Sequence, residues 1–458
     1  MGVATVASKS LLPILGAGLL ALVVSVPAAA QNDRPSTQPL SLDEAISYAL
    51  KNNRDVASSS HSVASAIDAV ANARTKRLPS LELSSMTGQS ITEVGVDFPA
   101  GAFGTFAGIG PVPSVDTRVT SPRRPVMLAQ ASLTQPISQL HRINLNVKAT
   151  GVARDMEQEK RRGTMQATAA NVRKAYYGLL QIDAGIRAAD AVLASTRALD
   201  GVVAERVSQR VVLKGDGLQS QLRVAEAAQQ KVKLQNARAE SEEQFNLLLG
   251  RDPQTPVVLV PVPIRDEETV DIDAVITQSI ERRADVRAAR LRVERAELDQ
   301  RVVAAGRVPD VSLAMSYQSF FNSDLLPKNL ASVGVQVKWE PWDWGRRTRE
   351  ANQKGHEIEQ ARLALKQAED TVRMEVARSY RDVQRARGDV LVARASEAVA
   401  QDHARVVTER IKVSAALPVD GLSANTDLAQ AGARAQEALS GYWAARAAYE
   451  QAIGEDVP

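Results

Sequence analysis

Two periodicities alternate along this chain. From Ala45, apolar residues recur at Ile46, Ala49 and Leu50, the three-to-four spacing of one helical face. Ser41-Leu42-Asp43-Glu44 opens that run as a capping box, in which the side chains of Ser41 and Glu44 each accept from the other's backbone N–H. The helix is expected over about 41–77, because Leu78-Pro79 ends it. Strict alternation follows. Leu81 and Leu83 begin a strand expected at about 79–87, and Met127, Ala129, Ala131 and Leu133 alternate with Leu128, Gln130, Ser132 and Thr134 over a second, about 126–136. Pro136 closes it, and helical stretches are expected over about 139–213 and 218–249. Gly151, Gly163, Gly178, Gly185 and Gly201 weaken the first of these and predict a kink or break. Leu218, Leu222, Ala225, Val232 and Ala239 mark an apolar stripe on the second.

The same order then returns. Asp271 stands 230 positions after Ser41, Ile272, Val275, Ile276 and Ile280 follow Leu42, Ala45, Ile46 and Leu50, and Arg307-Val308-Pro309 repeats Arg77-Leu78-Pro79. The offset holds without a gap over about 40 residues, which marks an internal duplication. The second unit predicts helices at about 271–307, 344–413 and 422–453 and strands at about 309–319 and 331–341. Val311, Leu313, Met315 and Tyr317 alternate in one strand, and Val333, Val335, Val337 and Trp339 in the other. Ile358, Ala361, Leu365, Ala368 and Val372 keep helical spacing, with a four-residue stutter at Val376 and Tyr380. The organisation is thus a first repeat over 31–250, a Pro-rich extended linker over 251–270, and a second repeat over 271–458.

The strands change the picture most. Each is roughly 9–11 residues, enough to cross a bilayer when tilted. Four strands do not close a barrel, and lipid does not tolerate open sheet edges. If these strands span a membrane, several chains must pool them. A soluble sandwich is the other reading of such strands, but the chain supplies no partner layer. Residues 88–125, with Pro99-Ala100-Gly101 and Pro111-Val112-Pro113, form a long loop, whereas the link at about 320–330 is short. Long loops on one side suit the outer face of a membrane barrel. Trp339 and Trp342 stand where strand meets helix and suit an interfacial aromatic belt, with junction packing as the plainer alternative; Trp344 fits either.

Lys9, the apolar run from Leu11 to Val26 and Ala28-Ala29-Ala30 predict a signal peptide over 1–30 cleaved near Ala30. The run is about 16 residues, short of the roughly 20 that a span needs. The chain has no cysteine, which excludes disulfides, zinc–thiolate sites, a Cys nucleophile and an acylated lipoprotein terminus. Its 56 basic and 53 acidic residues are interleaved along the helices, as on solvated faces, and no basic cluster marks a nucleic-acid surface. Aromatics at 4% suit thin helical packing better than a thick core. His61, His141, His356 and His403 are scattered without metal spacing, and no HExxH, GxSxG or phosphate loop occurs. No catalytic residue, metal or cofactor is expected, and an enzyme is argued against.

Two short stretches sit between paired helical runs, 204 positions apart: Asp216-Gly217-Leu218 and Asp420-Gly421-Leu422. Both are expected at the turned tips of helical hairpins. Asp-Gly is turn chemistry and Asp caps a following helix, which by itself accounts for the residues. In a symmetric oligomer the same Asp also becomes a ring that favours cations. Gly215 and Pro418 complete the candidate tips.

At this point the residues resemble a known family, the TolC-like outer-membrane efflux proteins of Gram-negative bacteria. The likeness covers essentially the whole chain beyond residue 30. It rests on Leu42-Asp43-Glu44-Ala45-Ile46, Leu78-Pro79-Ser80-Leu81 with its echo at Val308-Pro309, Trp342-Asp343-Trp344-Gly345-Arg346, and Leu247-Leu248-Leu249-Gly250, in that duplicated order. The resemblance implies a mainly α fold with membrane β: a homotrimer whose pooled twelve strands form one barrel in outer-membrane lipid, continued by a periplasmic α-helical tunnel. It implies docking of the tunnel tip, Gly215, Gly217, Leu218, Pro418, Gly421 and Leu422 included, onto a periplasmic adaptor protein linked to an inner-membrane pump. It implies export of drugs, metal ions or secreted proteins without chemistry. The family often narrows its tunnel with acidic rings. Asp420 matches, Ser423 stands where a second acid commonly follows, and near the first tip Gln221 holds the matching polar position beside Asp216. Two other functions remain open: an exit duct for type I protein secretion, and a soluble periplasmic coiled-coil scaffold or adaptor, which explains the helices but not the strands.

Overall fold

The computed structural model describes residues 39–89, 91–121, 125–262, 271–322, 327–413 and 415–454. The expected signal peptide and residues 263–270 of the expected linker lie outside the described residues. The capping box forms as its chemistry requires. The Glu44 N–H donates to Ser41 Oγ at 3.3 Å and the Ser41 N–H to Glu44 Oε2 at 2.9 Å, starting α1 (Leu42–Asn52). These Ser41 donors hold the Glu44 carboxyl below its usual value.

The single helix expected over 41–77 is two helices. Asn53 takes an extended backbone, φ −66° and ψ 135°, and its side chain accepts from the N–H groups of Asp55 and Val56 to start α2 (Arg54–Thr75). Its amide also donates to the Leu248 carbonyl at 2.9 Å. The helix expected over 271–307 breaks at the equivalent place. Arg283, 230 positions on, has φ −64° and ψ 132° and separates α5 (Ile272–Arg282) from α6 (Ala284–Ala305). Arg283 makes no cap bond. Its guanidinium pairs with Asp285 at 2.7 Å and Glu375 at 2.5 Å and donates to the Ala452 carbonyl. Leu248 and Ala452 are again 204 apart. Two residues beyond each, Gly250 and Gly454 lie at φ +77° and +67°. A Cβ on Gly250 would lie 2.3 Å from the Asn52 carbonyl oxygen, and one on Gly454 2.9 Å from Arg283 Cγ. Elbow and glycine are one fitting, built twice. Helical spacing runs straight through both elbows, which is why periodicity does not show them.

After α2 comes β1 (Ser80–Gln89). The segment expected to be an irregular loop over 88–125 carries a hairpin: β2 (Val94–Phe98) pairs with β5 (Thr117–Ser121), and β3 (Thr105–Phe106) with β4 (Gly110–Pro111) between them. The chain continues through β6 (Pro125–Pro136), α3 (Leu140–Ser208) and α4 (Lys214–Leu249). The second repeat, after α6, adds β7 (Asp310–Phe321), β8 (Asn329–Lys338), α7 (Arg346–Lys412) and α8 (Pro418–Ala452). The break expected in α3 is absent. Its 69 residues, about 100 Å at 1.5 Å per residue, pass all five glycines unbroken. Gly163 and Gly185 instead admit close neighbours, with Ala284 Cβ 3.6 Å and the Leu234 methyls 3.8 Å from where a Cβ would stand.

The four long strands form one antiparallel sheet, ordered β1-β6-β7-β8, so the two repeats meet at β6–β7. Register sorts its faces. Leu81, Leu133, Met315 and Val333 pair in a row across all four strands, and Glu82, Ser132, Ser316 and Ser332 form the next row on the other face. A one-residue slip would mix them. Below the sheet, helices pack as one layer ordered α2-α3-α6-α7, and toward the tips as α4-α3-α8-α7. The stripe expected on α7 is where it packs: Ile358, Ala361, Val372 and Val376 are buried.

The largest core lies mid-length, where α1, α3, α4, α7 and α8 bring together Ile46, Tyr176, Phe245, Leu249, Val383 and Trp443. The Tyr176 hydroxyl reaches the carbonyls of Val260 at 2.7 Å and Leu40 at 2.9 Å, fastening two extended segments that bridge in parallel at Leu40 and Leu259. Burial pushes its phenol up to about 12.

Candidate functional site

Both tips are built differently from the Asp-Gly turns expected. α3 ends at Ser208, Arg210 turns the chain at φ +58°, and Leu213 in extended backbone precedes α4, so the turn is 209–213. α7 ends at Lys412 and Leu417, also extended, precedes α8, which begins at Pro418. Asp216 and Asp420 therefore lie in first helical turns. The Leu417 N–H donates to Asp420 Oδ2 at 2.9 Å, and the Asp420 N–H to the Leu417 carbonyl at 3.0 Å. A leucine at the cap position has no acceptor of its own, so the acid three residues on reaches back to satisfy the helix start. The Asp216 N–H donates to the Leu213 carbonyl at 3.1 Å, and its charge complements the helix N-terminus. The dipeptide reads as a turn because Asp-Gly is common there; the capping leucines carry no signal in sequence.

The two tips also differ in what holds them. Leu422 is 7% exposed and packs with Leu199 and Val203 of α3 and Ile411 of α7. Leu218, its counterpart, is 68% exposed. A Cβ on Gly421 would lie 2.6 Å from Ile411 Cδ1 and 3.3 Å from the Leu199 methyls, whereas one on Gly217 would meet only Val207 at 3.4 Å and one on Gly215 would meet nothing. Arg206 of α3 donates to the Ile411 carbonyl, joining the first hairpin's long helix to the second tip. Asp420 and Ser423 remain exposed beside this cluster, and Gln221 is exposed on α4 while Asp216 is half-buried.

Sequence reasoning missed a groove. Above the tips α4 and α8 lie on α3 side by side and leave a cleft of about 420 Å³. Gly185, Ala188, Ala189 and Val192 are among the residues of α3 that line it, and Arg223, Glu226 and Glu437 stand along the two neighbouring helices. Arg223 pairs with Glu226 at 3.0 Å. Small residues at 185, 188, 189 and 192 are the trace it leaves in sequence, and in a helix rich in alanine that trace does not stand out.

Where strand meets helix, Asp343 accepts from the N–H groups of Arg347 at 3.1 Å and Gly345 at 3.0 Å. The Arg347 backbone bond first, then that of Gly345 and the charges of Arg347 and Arg346, hold its carboxyl below the usual range. Arg346 and Arg347 also pair with Glu340 at 2.7 and 3.5 Å. The turn puts Trp344 at φ +54°, edge-on to Trp342 with ring centres 5.8 Å apart, and Trp339, Trp342 and Trp344 are all exposed.

A model of the outer membrane efflux protein family matches residues 45–251 and 275–455. The chain belongs to that family. The two matched stretches correspond to the two repeats, and its members work as channels. No curated protein matches the chain. Among solved structures, the outer-membrane channel OprN superposes with a TM-score of 0.74 at 16% identity, covering 91% of each chain. The outer membrane protein VceC from the bacterial pathogen Vibrio cholerae gives 0.72 at 14%, covering 91% of this chain and 97% of the other. The open state of the MtrE outer membrane channel of Neisseria gonorrhoeae gives 0.72 at 14%, covering 91% and 89%. The TolC-like fold implied by sequence is thus the fold observed, and the protein is an outer-membrane efflux channel. Among its described residues no helix is long and apolar enough to cross a membrane; the sheet is the element with an apolar face and a strand length suited to lipid.

Proposed function

We propose that this efflux protein acts as a homotrimer, a passive duct for small molecules such as drugs or metal ions in a tripartite system. One observation supports this above the others: the chain has two free edges that run its whole length. β1, α2 and α4 lie along one edge, β8 and α7 along the other. In lipid the open ladders of β1 and β8 must be paired, and three copies would pool twelve strands. The row of Leu81, Leu133, Met315 and Val333 would face lipid, and the row of Glu82, Ser132, Ser316 and Ser332 the lumen. Trp339 and Trp342 would lie at the inner membrane interface.

The helical tips would meet a periplasmic adaptor, with the small-residue groove between α4 and α8 as a seat for a partner helix, and the adaptor would link the duct to an inner-membrane pump. Asp420 from three chains would form a ring that favours cations, with Ser423 beside it; Asp216 and Gln221 would line the first tip. Its bond to Leu417 leaves Asp420 exposed, so capping and ring roles are compatible. Export would follow cleavage of a signal peptide near Ala30. With no cysteine to acylate, the strands themselves would hold the protein in the membrane.

Purified from membranes, the protein should run as a heat-sensitive trimer and form ion-conducting pores in planar bilayers. A soluble monomer or dimer that forms no pores would favour a scaffold instead. Asp420→Ala should reduce cation selectivity, and unchanged selectivity and cation block would remove the ring from the account.

A further inference from the structure

The joint between the two halves of the chain is a template for a joint between two chains. β1–β6 and β7–β8 pair in one register: Ser80 faces Thr134, and Asp310 faces Lys338, 230 and 204 positions on. The same offsets relate α2 (Arg54–Thr75) to α6 (Ala284–Ala305), and the end of α3 at Ser208 to the end of α7 at Lys412. In the layer α2-α3-α6-α7 the halves join at α3–α6, and α7 and α2 are left as free edges. α7 stands to α2 as α3 stands to α6. A contact that repeated the inner joint would seat α7 of one copy on α2 of the next, a heterologous interface that makes a ring where its rotation closes.

The side chains at the two seams support that mapping. Along α3–α6, a Cβ on Gly163 would lie 3.6 Å from that of Ala284, and Glu159 pairs with Arg287 at 3.9 Å. Nearer the sheet, Ala149, Val152 and Leu298 form a buried cluster with Leu145 and Leu291 packed on it. The equivalent edge positions are all exposed, and their chemistry changes in pairs. Where the inner seam has the Glu159–Arg287 ion pair, the edges offer Leu363 and Ala57. Where it has the apolar cluster, α7 offers Arg349, Gln353 and His356, and α2 offers His61 and Asp68. Partners change class together, as they must if they meet. Asp68 and Arg349 have no ion-pair partner among the described residues of their own chain. Glu357, which shares a shallow groove with Arg349 and His356, is already paired to Lys354 at 2.7 Å.

We infer that α7 of one chain packs on α2 of the next in the register of the inner seam, and that Asp68 is held there between Arg349 and His356 of the neighbouring chain. This rests on the trimer proposed above and gives its seam a chemistry. A seam closed by charge stays wetted until the copies meet, whereas a repeat of the inner cluster would expose apolar surface on every unassembled chain. Register is read with thiols, since the chain has no cysteine. Arg54 and Gln367 are the equivalents of Ala284 and Gly163. Arg54→Cys/Gln367→Cys should therefore bring two Cβ atoms to about 3.6 Å, a disulfide distance, and mild oxidation in native outer membranes should give a covalent trimer. Arg54→Cys/Leu363→Cys, one helical turn out of register, should stay monomeric. The charge pairing is read by heat. Asp68→Arg should lower the temperature at which the trimer dissociates on a gel, and adding Arg349→Asp should restore most of the loss. Equal cross-linking of the two thiol pairs, no disulfide in the first, or a charge swap that recovers nothing overturns the inference. The heat-sensitive trimer of the unmodified protein is read on the same gel. If that trimer is present, only this inference fails; if it is absent, the duct reading fails too.

Discussion

The two hairpin tips hold equivalent places in the two matched stretches of the chain, yet only the second is finished within its own chain. α8 lies between α3 and α7 and buries Leu422 and Gly421 between them, while α4 packs mainly on α3 and leaves Leu218, Leu222 and Val232 exposed. The elbows teach the opposite. Asn53 donates to the Leu248 carbonyl and Arg283 to the Ala452 carbonyl, so the two elbows are fastened at equivalent places by different chemistry. Geometry is alike where each half closes on itself and differs at the tips, where one faces its own chain and the other an edge.

The largest expected asymmetry is at the equivalent leucines. Leu422→Ala should destabilise the second tip by about 2–4 kcal/mol, as for other buried leucines, and speed amide exchange at the ends of α7 and α8. Leu218→Ala should change the stability of the detergent-dissociated chain by less than about 0.5 kcal/mol. Equal effects would break the comparison. Next are the glycines. Gly421→Ala forces a methyl against Ile411 and Leu199 and should cost about 1–3 kcal/mol, whereas Gly217→Ala should be neutral or stabilise by up to about 1 kcal/mol through helix propensity; paired denaturant titrations decide it. Smaller again, Asp420→Ala removes the acceptor of the Leu417 N–H and should cost about 1 kcal/mol. Asp216→Ala loses only a favourable charge near a helix start, about 0.5 kcal/mol.

The smallest effect is a pH dependence that separates the starts of the repeats. Ser41 donors lower the Glu44 carboxyl, while Ala274 holds the equivalent place in the second repeat. A carboxyl lowered by folding stabilises above its unfolded value and loses that contribution as pH falls through the lowered one. Acidification should therefore loosen the start of α1 as pH falls through the lowered Glu44 value, and Glu44→Gln should abolish that dependence of the exchange rates at α1.

Much of this is legible in sequence because it is written in spacing. The alternation at Val311–Tyr317 and at Val333–Trp339 marks strands in place, and the 230- and 204-residue offsets mark the repeats. What escapes is what spacing does not encode. Asn53 and Arg283 break helices without interrupting the apolar stripe, and Leu213 and Leu417 start helices without a capping side chain, so Asp216 and Asp420 read as turn residues. The glycines of α3 read as weak points because propensity is local, but packing along about 100 Å overrides a cost of roughly 1 kcal/mol each. The groove between α4 and α8 arises from three helices distant in sequence, and no single motif announces it.

In the proposed trimer the exposed edge of α4 is covered by α7 of the next chain. Val232 and Val392 stand on these opposite edges, both exposed, and each is about 20 residues, or about 30 Å, from its own tip. The measurement is cross-linking of Val232→Cys/Val392→Cys in otherwise cysteine-free protein, in native outer membranes. A closed ring predicts that the double variant becomes a covalent trimer on a denaturing gel while each single variant stays monomeric. A double variant that remains monomeric, with both thiols freely alkylated, would contradict it.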